Sequence, residues 1–347
     1  MALPAWLRRH PVRWSLLVAI LVVAGLFLAP RTSQALQSVH RLGGADWGWL
    51  SVALGAEIAS LIAFSLVTWT LLVPGARPRF WRVLRLDLVT VALSHSVPVG
   101  SAAGTALGFE LLTEEGVDPV QAGFVKVSQS LLSGVLLEVL LAGSLFARLV
   151  FYGPSADAVA LAGAGGALLV LVAGFAGLLA YRPSSIQKGA GALLGRLPRV
   201  EPDDVVRVIG ELSERLRELI RTPVRLGWAC VWSLGHWLFD LLSLWAALRA
   251  FGAPPSGVLL TVAFCVAQVA ASLLISPAGL GVVESSLIPL LEGFGTSAEV
   301  AVLGVLSWRL LNFWLPLPVG GLAYLGILDS RRRRPPRTEP APPAPAA

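Results

Sequence analysis

The chain has 347 residues, of which 55% are hydrophobic and only 14% are charged, and its formal net charge is +6. A soluble domain carries about 25% charged residues, so this composition excludes an ordinary soluble enzyme or binding module and favours a protein that spans a lipid bilayer. The arginines lie in short segments between apolar runs. That distribution indicates membrane topology and not a nucleic-acid-binding surface.

Several apolar segments are long enough to cross a bilayer, for which a helix needs about 20 residues. They are 14–30, 47–73, 122–150, 157–181, 224–251 and 299–328. Two further segments, 88–109 and 257–292, are interrupted by proline and glycine. The first segment resembles a signal sequence, but because more membrane helices follow it, we expect it to remain as the first anchor.

Arginine and lysine in the loops predict the orientation of these helices. The basic segments are 1–13, 74–86, 182–223 and the start of 329–347, and all should be cytoplasmic. They fall on one side only if 88–109 enters and leaves from the cytoplasm and 257–292 forms a hairpin from outside. The sequence therefore predicts an all-α polytopic protein with about six full spans and two re-entrant hairpins. We expect it in the inner membrane of a bacterium, with both termini cytoplasmic.

The two broken segments resemble each other at a constant offset of 179 positions. Identical residues at that offset are Pro98 and Pro277, Gly100 and Gly279, Gly116 and Gly295, Ser128 and Ser307, Leu131 and Leu310, and Leu132 and Leu311. With opposite predicted orientations, this pattern indicates an inverted repeat, which is typical of transporters. The alternative is chance identity in a sequence rich in leucine and glycine.

Two segments differ from the rest of the membrane domain, which we assign to 1–328. Residues 201–221 place their apolar side chains on one face and predict an amphipathic cytoplasmic helix. The Arg- and Pro-rich tail 329–347 cannot build a core, so we expect it to be disordered.

The Pro/Gly breaks are the first candidates for a binding site, because irregular backbone at membrane depth must be buried by protein or line a wet cavity. The residues concerned are Pro98, Gly100, Gly104, Pro277, Gly279 and Gly281. A helix that begins after such a break directs free amides and a positive dipole end towards an anion. We therefore expect a phosphate-bearing lipid head group there. The alternative is that the glycines only allow close helix packing.

Charged groups inside apolar helices cost about 2.5–3.5 kcal/mol each on insertion scales, so each requires a reason. Arg309 and Asn312 share a helix face, and Arg309 is suited to grip a phosphate. Glu284 would be its counter-ion or a proton-coupled group, and His95 would line the same cavity. A purely structural pair of Glu284 and Arg309 is the alternative.

Other polar residues of the apolar segments are interpreted as structural. We expect Lys126 to extend to the cytoplasmic surface, and His236 and Asp240 to share a hydrogen bond. Glu57 and Glu138 must face protein or water, with partners that the sequence does not identify. Catalytic motifs and a third ligand for a metal are missing, so we expect no enzyme activity, cofactor or metal.

The stretch SPAGLGVVESSLIPLLEGFG, followed by VLGVLSWRLLNFWLPLPVGGLAYL, resembles the membrane region of bacterial lysylphosphatidylglycerol synthases, also called the flippase-like or UPF0104 family. The matching residues are Pro277, Gly279, Gly281, Glu284, Arg309, Phe313, Trp314 and Pro316. The earlier stretch LSHSVPVGSAAGTALGFELL fits the family's first Pro/Gly-rich segment. We expect a stand-alone member without the soluble synthetase domain.

The resemblance implies movement of a phospholipid or polyprenyl-phosphate-type lipid between leaflets, with membrane lipids as partners. One departure is that the family often has an arginine on the helix after the first loop, where this chain has Gln129, Ser130 and Ser133. A second hypothesis is therefore a non-transporting scaffold or accessory subunit of a lipid- or glycan-modifying enzyme. A third is an intramembrane transferase.

Overall fold

A computed structural model describes residues 45–73, 77–97, 100–154, 156–182, 202–252, 256–273 and 279–332, with 184, 186 and 187. The described residues form helices joined by short turns and contain no strand. The helices are α1 (Trp47–Leu71), α2 (Phe80–Ser96), α3 (Gly100–Glu114), α4 (Pro119–Tyr152), α5 (Ala156–Tyr181), α6 (Pro202–Arg221), α7 (Pro223–Arg249), α8 (Gly257–Leu273), α9 (Val282–Gly293), α10 (Ala298–Arg309) and α11 (Pro316–Arg332). A π-helical turn, Leu310–Trp314, joins α10 to α11.

Four described helical stretches are long and apolar enough to cross a bilayer: α1, α4, α7 and the continuous stretch Ala298–Asp329. They match the predicted spans 47–73, 122–150, 224–251 and 299–328. Helix α5 covers the predicted span 157–181, whereas 14–30 and the tail beyond 332 lie outside the described residues. The all-α membrane fold is confirmed, and the total number of spans stays a prediction.

Both predicted breaks are present. Residues 88–109 divide between α2 and α3, and residues 257–292 divide between α8 and α9. In the second break Gly279 and Gly281 have φ angles of 69° and 84°. Residues other than glycine rarely adopt such positive φ angles, which explains why glycine stands at both positions.

The helix boundaries repeat at the offset of 179 positions. Helix α3 ends at Glu114 and α9 at Gly293, while α4 begins at Pro119 and α10 at Ala298. The connecting turns are also alike. In the first, the Val117 amide donates to the Leu112 carbonyl at 3.1 Å, and in the second Thr296 donates to Leu291 at 3.0 Å.

The glycine of each turn has the same conformation, with φ of 93° at Gly116 and 92° at Gly295. Identical backbone geometry at identical offsets shows that the repeat is structural and not a chance match of leucines. The first half therefore consists of α1 to α4, and the second half of α7 to α11.

The two halves pack against each other through corresponding elements. Helix α1 lies along α7, which stands at the same place in the second half, and this is the most extensive helix contact in the described chain. Helix α2 packs on α11, and α8 packs on α4 in the equivalent manner. Such reciprocal contacts are what a two-fold relation between the halves produces. The opposite membrane orientation of the halves stays a prediction.

The amphipathic segment 201–221 is confirmed as helix α6. It packs against α4, α5 and α7, and its Leu219 side chain is buried. The Ser213 hydroxyl donates to the Leu179 carbonyl of α5 at 2.8 Å. The helix is therefore attached to the bundle, whereas its cytoplasmic side stays a prediction.

Candidate functional site: a buried charged cluster at the second helix break

The π-helical turn positions the central residues of the site. Pro316 has no amide hydrogen, so it cannot donate to the carbonyl of Asn312 one turn earlier. The ladder widens instead, and the Leu315 amide donates to the Leu310 carbonyl at 2.9 Å. Single π turns inside helices are frequent at functional sites. Here the turn carries Asn312 and Phe313 immediately after Arg309.

Arg309 and Glu284 form a buried ion pair. The Arg309 Nε donates to Glu284 Oε1 at 2.8 Å, and the two residues are 3% and 5% exposed. The other carboxylate oxygen, Oε2, accepts from the Gly281 amide at 2.7 Å. A carboxylate of the chain itself therefore occupies the anion-binding position at the start of α9 that the sequence analysis assigned to a ligand.

Asn312 connects the ion pair to two further carboxyl groups. Its Oδ1 accepts from Arg309 Nη1 at 3.4 Å. Its Nδ2 donates to Asp240 Oδ1 at 3.0 Å and reaches Glu57 Oε1 at 3.4 Å. The amide oxygen thus faces the cation and the amide nitrogen faces the acids, which is the orientation that the electrostatics favour.

Asp240 accepts more hydrogen bonds than the other carboxyl groups around Asn312. It accepts from Trp308 Nε1 at 2.8 Å and from Gln268 Nε2 at 3.4 Å. The expected hydrogen bond to His236 is not formed, because the His236 ring faces α1, where its Nδ1 lies 2.8 Å from Ser60 Oγ. A spacing of four residues places two side chains on one face, but the neighbouring helices decide their partners.

Glu57 and Asp240 also belong to the site, although the sequence did not place them there. Both are buried, at 2% and 1% exposed. They come from α1 and α7, the pair of helices where the two halves meet. The cost of burying a carboxyl group had marked each as unusual, but the sequence has no signal that connects either one to Asn312, which is 72 or more residues away. We call Glu57, Asp240, Glu284, Arg309 and Asn312 the charged cluster.

His95 lies beside the charged cluster, and its predicted role in lining a head-group cavity stays a prediction. Its ring stacks on Phe313 with centroids 5.0 Å apart and an interplanar angle of 7°. Its Nδ1 lies 3.2 Å from the Phe313 carbonyl. The Arg309 guanidinium carbon is 4.8 Å from the centroid of the same Phe313 ring. His95 therefore joins the end of α2 to the second-half site.

The glycines of the first break have a packing role. A Cβ atom on Gly100 would lie 1.8 Å from the Ser94 carbonyl oxygen, and one on Gly104 would lie 2.0 Å from Ser94 Oγ. These glycines let α3 contact α2 backbone to backbone, which is the packing alternative raised from sequence. Pro98 and Pro277 lie outside the described residues.

A second buried ion pair lies in the first half, and the prediction for Lys126 was wrong. Lys126 is 4% exposed and does not reach the surface. Its Nζ contacts Asp87 Oδ1 at 2.5 Å and Gln129 Oε1 at 3.1 Å. Asp87 was not recognised from sequence, because α2 looks like a surface-charged segment there.

A well-defined cavity of the described chain lies away from the charged cluster. A cavity of about 320 Å³ lies between the turn after α7 and the turn after α9, next to Gly252, Leu260 and Gly295. The charged side chains of the cluster are all at most 5% exposed. Glu284 already accepts from Arg309 Nε and from the Gly281 amide, so a ligand that takes these donors requires Glu284 to move.

Comparison with known proteins identifies a membrane-protein family. The family model described as the lysylphosphatidylglycerol synthase TM region matches residues 14–320. The chain belongs to this family. A UPF0104 membrane protein of Methanothermobacter thermautotrophicus is 24% identical over 334 residues, which is 91% of this chain and 94% of that protein. The chain is therefore an integral membrane protein of a family with a lipid-related role.

Proposed function

We propose that this protein moves a lipid with a phosphate-bearing head group between the leaflets of the membrane. The observation that carries the proposal is the buried Arg309–Glu284 pair at the start of a helix that follows a Pro/Gly break. Arginine presents two parallel donors that fit a phosphate, and a helix N-terminus adds a favourable dipole.

Exchange of carboxylate for phosphate provides a mechanism. Glu284 holds the Gly281 amide and the Arg309 guanidinium in the closed state. A head-group phosphate would take over both donors when Glu284 turns away. Because both donors keep an acceptor in this exchange, the site lowers the cost of bringing the head group into the membrane interior.

Reconstituted vesicles test this function. Phosphatidylcholine vesicles carry a fluorescent phosphatidylglycerol or a fluorescent polyprenyl phosphate, and dithionite added outside bleaches only the outer leaflet. We expect Arg309→Ala to slow the movement of the preferred lipid at least about tenfold, because a charge-assisted hydrogen bond contributes about 1.5–3 kcal/mol. Arg249→Ala is the matched control, since that guanidinium lies over the Trp49 and Trp245 rings and outside the charged cluster.

Equal rates for wild type, Arg309→Ala and Glu284→Ala would contradict the proposal. The same result would favour the second candidate, a non-transporting scaffold or accessory subunit of a lipid- or glycan-modifying enzyme. The supporting observation for that candidate is that Thr105 and Ser130, with hydroxyls 3.5 Å apart, stand in the first half where Glu284 and Arg309 stand in the second. Co-purification with such an enzyme would identify it.

The location and orientation belong to the same proposal. We expect the protein in a bacterial inner membrane with both termini in the cytoplasm, because the basic segments then share one side. The tested residues act on a bound lipid and not on a covalent bond, so we expect no enzymatic turnover.

A further inference from the structure

The charged cluster holds more negative than positive groups. It has three carboxyl groups, Glu57, Asp240 and Glu284, and one guanidinium, Arg309, all at most 5% exposed. With every group ionised the net charge would be −2. Unbalanced buried charge is expensive, and a carboxyl group in such a place takes up a proton instead.

The hydrogen bonds identify which carboxyl group is least suited to carry charge. Glu284 accepts from Arg309 and from the Gly281 amide. Asp240 accepts from Trp308, Asn312 and Gln268. Glu57 Oε1 has one long contact of 3.4 Å to Asn312, and its Oε2 is buried with no hydrogen-bond partner among the described residues. Ser243 Oγ, on the adjacent helix α7, is also buried and unpartnered.

The titratable groups on the surrounding helices do not supply the missing charge. His236 of α7 pairs with Ser60, His95 of α2 lies against the Phe313 carbonyl, and Lys126 of α4 pairs with Asp87 of α2. Glu138 of α4 points to α5, with Oε2 3.5 Å from the position of a Cβ on Gly165. The remaining charged residues of α1's neighbours, Arg82, Arg85, Arg148, Arg225 and Arg249, lie near the ends of their helices. Among the described residues, Arg309 is therefore the cation that the carboxyl groups contact.

We infer that Glu57, which shares the Asn312 Nδ2 donor with Asp240, binds one exchangeable proton, and that this proton accompanies an anionic head group bound at Arg309. The donors around Asp240 are the nitrogens of Trp308, Asn312 and Gln268, which suit a carboxylate beside a neutral acid. A bound Na⁺ would need a shell of oxygen ligands instead.

The position of Glu57 explains how the two binding events are coupled. Arg309, Asn312 and Glu57 form a continuous chain of contacts. A phosphate that draws Arg309 away from Glu284 adds negative charge to the cluster and strengthens proton binding on Glu57. By linkage, the proton strengthens head-group binding to the same extent. This coupling rests on the proposed function, whereas proton binding itself does not.

Infrared spectroscopy measures the proton directly. The protein in phosphatidylcholine nanodiscs at neutral pH should show the carbonyl stretch of a protonated carboxylic acid. Glu138 Oε2 is also buried without a hydrogen-bond partner among the described residues, so Glu138→Gln identifies the part of the band that comes from Glu138. We expect Glu57→Gln to remove a separate component and Glu57→Asp to shift that component, while Glu292→Gln, an exposed position, leaves the band unchanged. Glutamine is close in shape to the neutral acid, so Glu57→Gln should remain folded. If the band is the same in wild type, Glu57→Gln and Glu57→Asp, the inference is wrong.

Translocation and ion dependence complete the test. The wild-type rate for the preferred fluorescent lipid should fall severalfold when the pH is raised until the Glu57 band disappears, and Glu57→Gln should remove this dependence while the matched buried variant Glu138→Gln keeps it. A wild-type rate that does not depend on pH would overturn the coupling.

Ion dependence tests whether the bound cation is a proton. Thermal stabilisation by Na⁺ but not by choline, lost in Glu57→Gln, would show that Glu57 binds a metal cation and not a proton. If the protein shows a band that depends on Glu57 but moves no lipid, the proposed function is wrong and the inference of proton binding still holds.

Discussion

The two halves of the molecule share one backbone plan but use it differently. Helix ends and turn glycines coincide at an offset of 179 positions, yet the residues at the two helix breaks differ. The second half has the ion pair Glu284–Arg309, where the first half has the hydroxyl pair Thr105–Ser130. Repetition therefore preserves the framework, while the charge that would bind a ligand is present at one break only.

The two halves also pack their short helices in different ways. Helix α3 has Gly104 and Gly108 where α9 has Val283 and Leu287, all buried. The first half therefore joins its helices through close backbone contact, with the Lys126 stem against Gly108. The second half uses larger side chains and a glycine turn. The first half therefore has close glycine contacts at its short helix, whereas Glu284, the carboxylate that we propose to move, lies in the second half.

Removing one member of a buried ion pair should produce the largest effects. Lys126→Met would leave Asp87 buried without its cation and should lower the free energy of unfolding by about 3–5 kcal/mol. The double variant Lys126→Met, Asp87→Leu should recover most of that loss, because an apolar pair of similar volume replaces the ion pair. Unfolding by denaturant in detergent measures both.

The equivalent double variant in the second half separates structure from function. Glu284→Leu with Arg309→Met should also recover stability, but lipid movement should stay abolished, whereas the first-half double variant should keep it. If both double variants transport, the difference between the halves is structural only. If neither does, the first-half pair belongs to the transport site.

The next largest effect on stability should come from giving α3 the residue that stands at the equivalent position of α9. Gly104→Val places a side chain where a Cβ would lie 2.0 Å from Ser94 Oγ and 2.9 Å from the Thr90 carbonyl oxygen. Overpacking of this kind costs about 1–3 kcal/mol. Gly134→Ala is a control, since nothing lies within 4 Å of a Cβ there. An unchanged thermal midpoint in Gly104→Val would show that α2 and α3 can separate.

The sequence predicted the parts of this molecule that depend on local pattern. Hydropathy placed α1, α4 and α7, and proline with glycine placed both breaks. The cost of buried charge marked Glu284 and Arg309 as partners. Helix packing decided the rest: His236 turned to Ser60 and not to Asp240, Lys126 met Asp87, and Glu57 met Asn312. Those contacts join helices far apart in the chain, where no local spacing indicates a partner.

Substitution of the turn glycine of the second break should have a moderate effect on stability. Gly281→Ala forces a side chain into a φ of 84°, which costs about 1–2 kcal/mol. Its counterpart, Ala102, lies inside helix α3, so Ala102→Gly should cost about 0.5–1 kcal/mol. Because the Gly281 amide also holds Glu284, Gly281→Ala alone should alter the lipid-movement rate. Thermal unfolding and the vesicle assay on both variants separate strain from function.

The hydroxyl pair of the first half should matter least. Thr105 and Ser130 are 3.5 Å apart and partly exposed, and a neutral hydrogen bond contributes about 0.5–1.5 kcal/mol at most. Thr105→Val with Ser130→Ala should therefore change stability by less than about 1 kcal/mol and leave lipid movement at the wild-type rate. A large fall in rate without a fall in stability would mean that the lipid passes this pair on its way across. The first break would then be a second binding position for the head group. Because the Thr105–Ser130 pair is uncharged, it would hold the head group more weakly than Arg309 does and so allow its release.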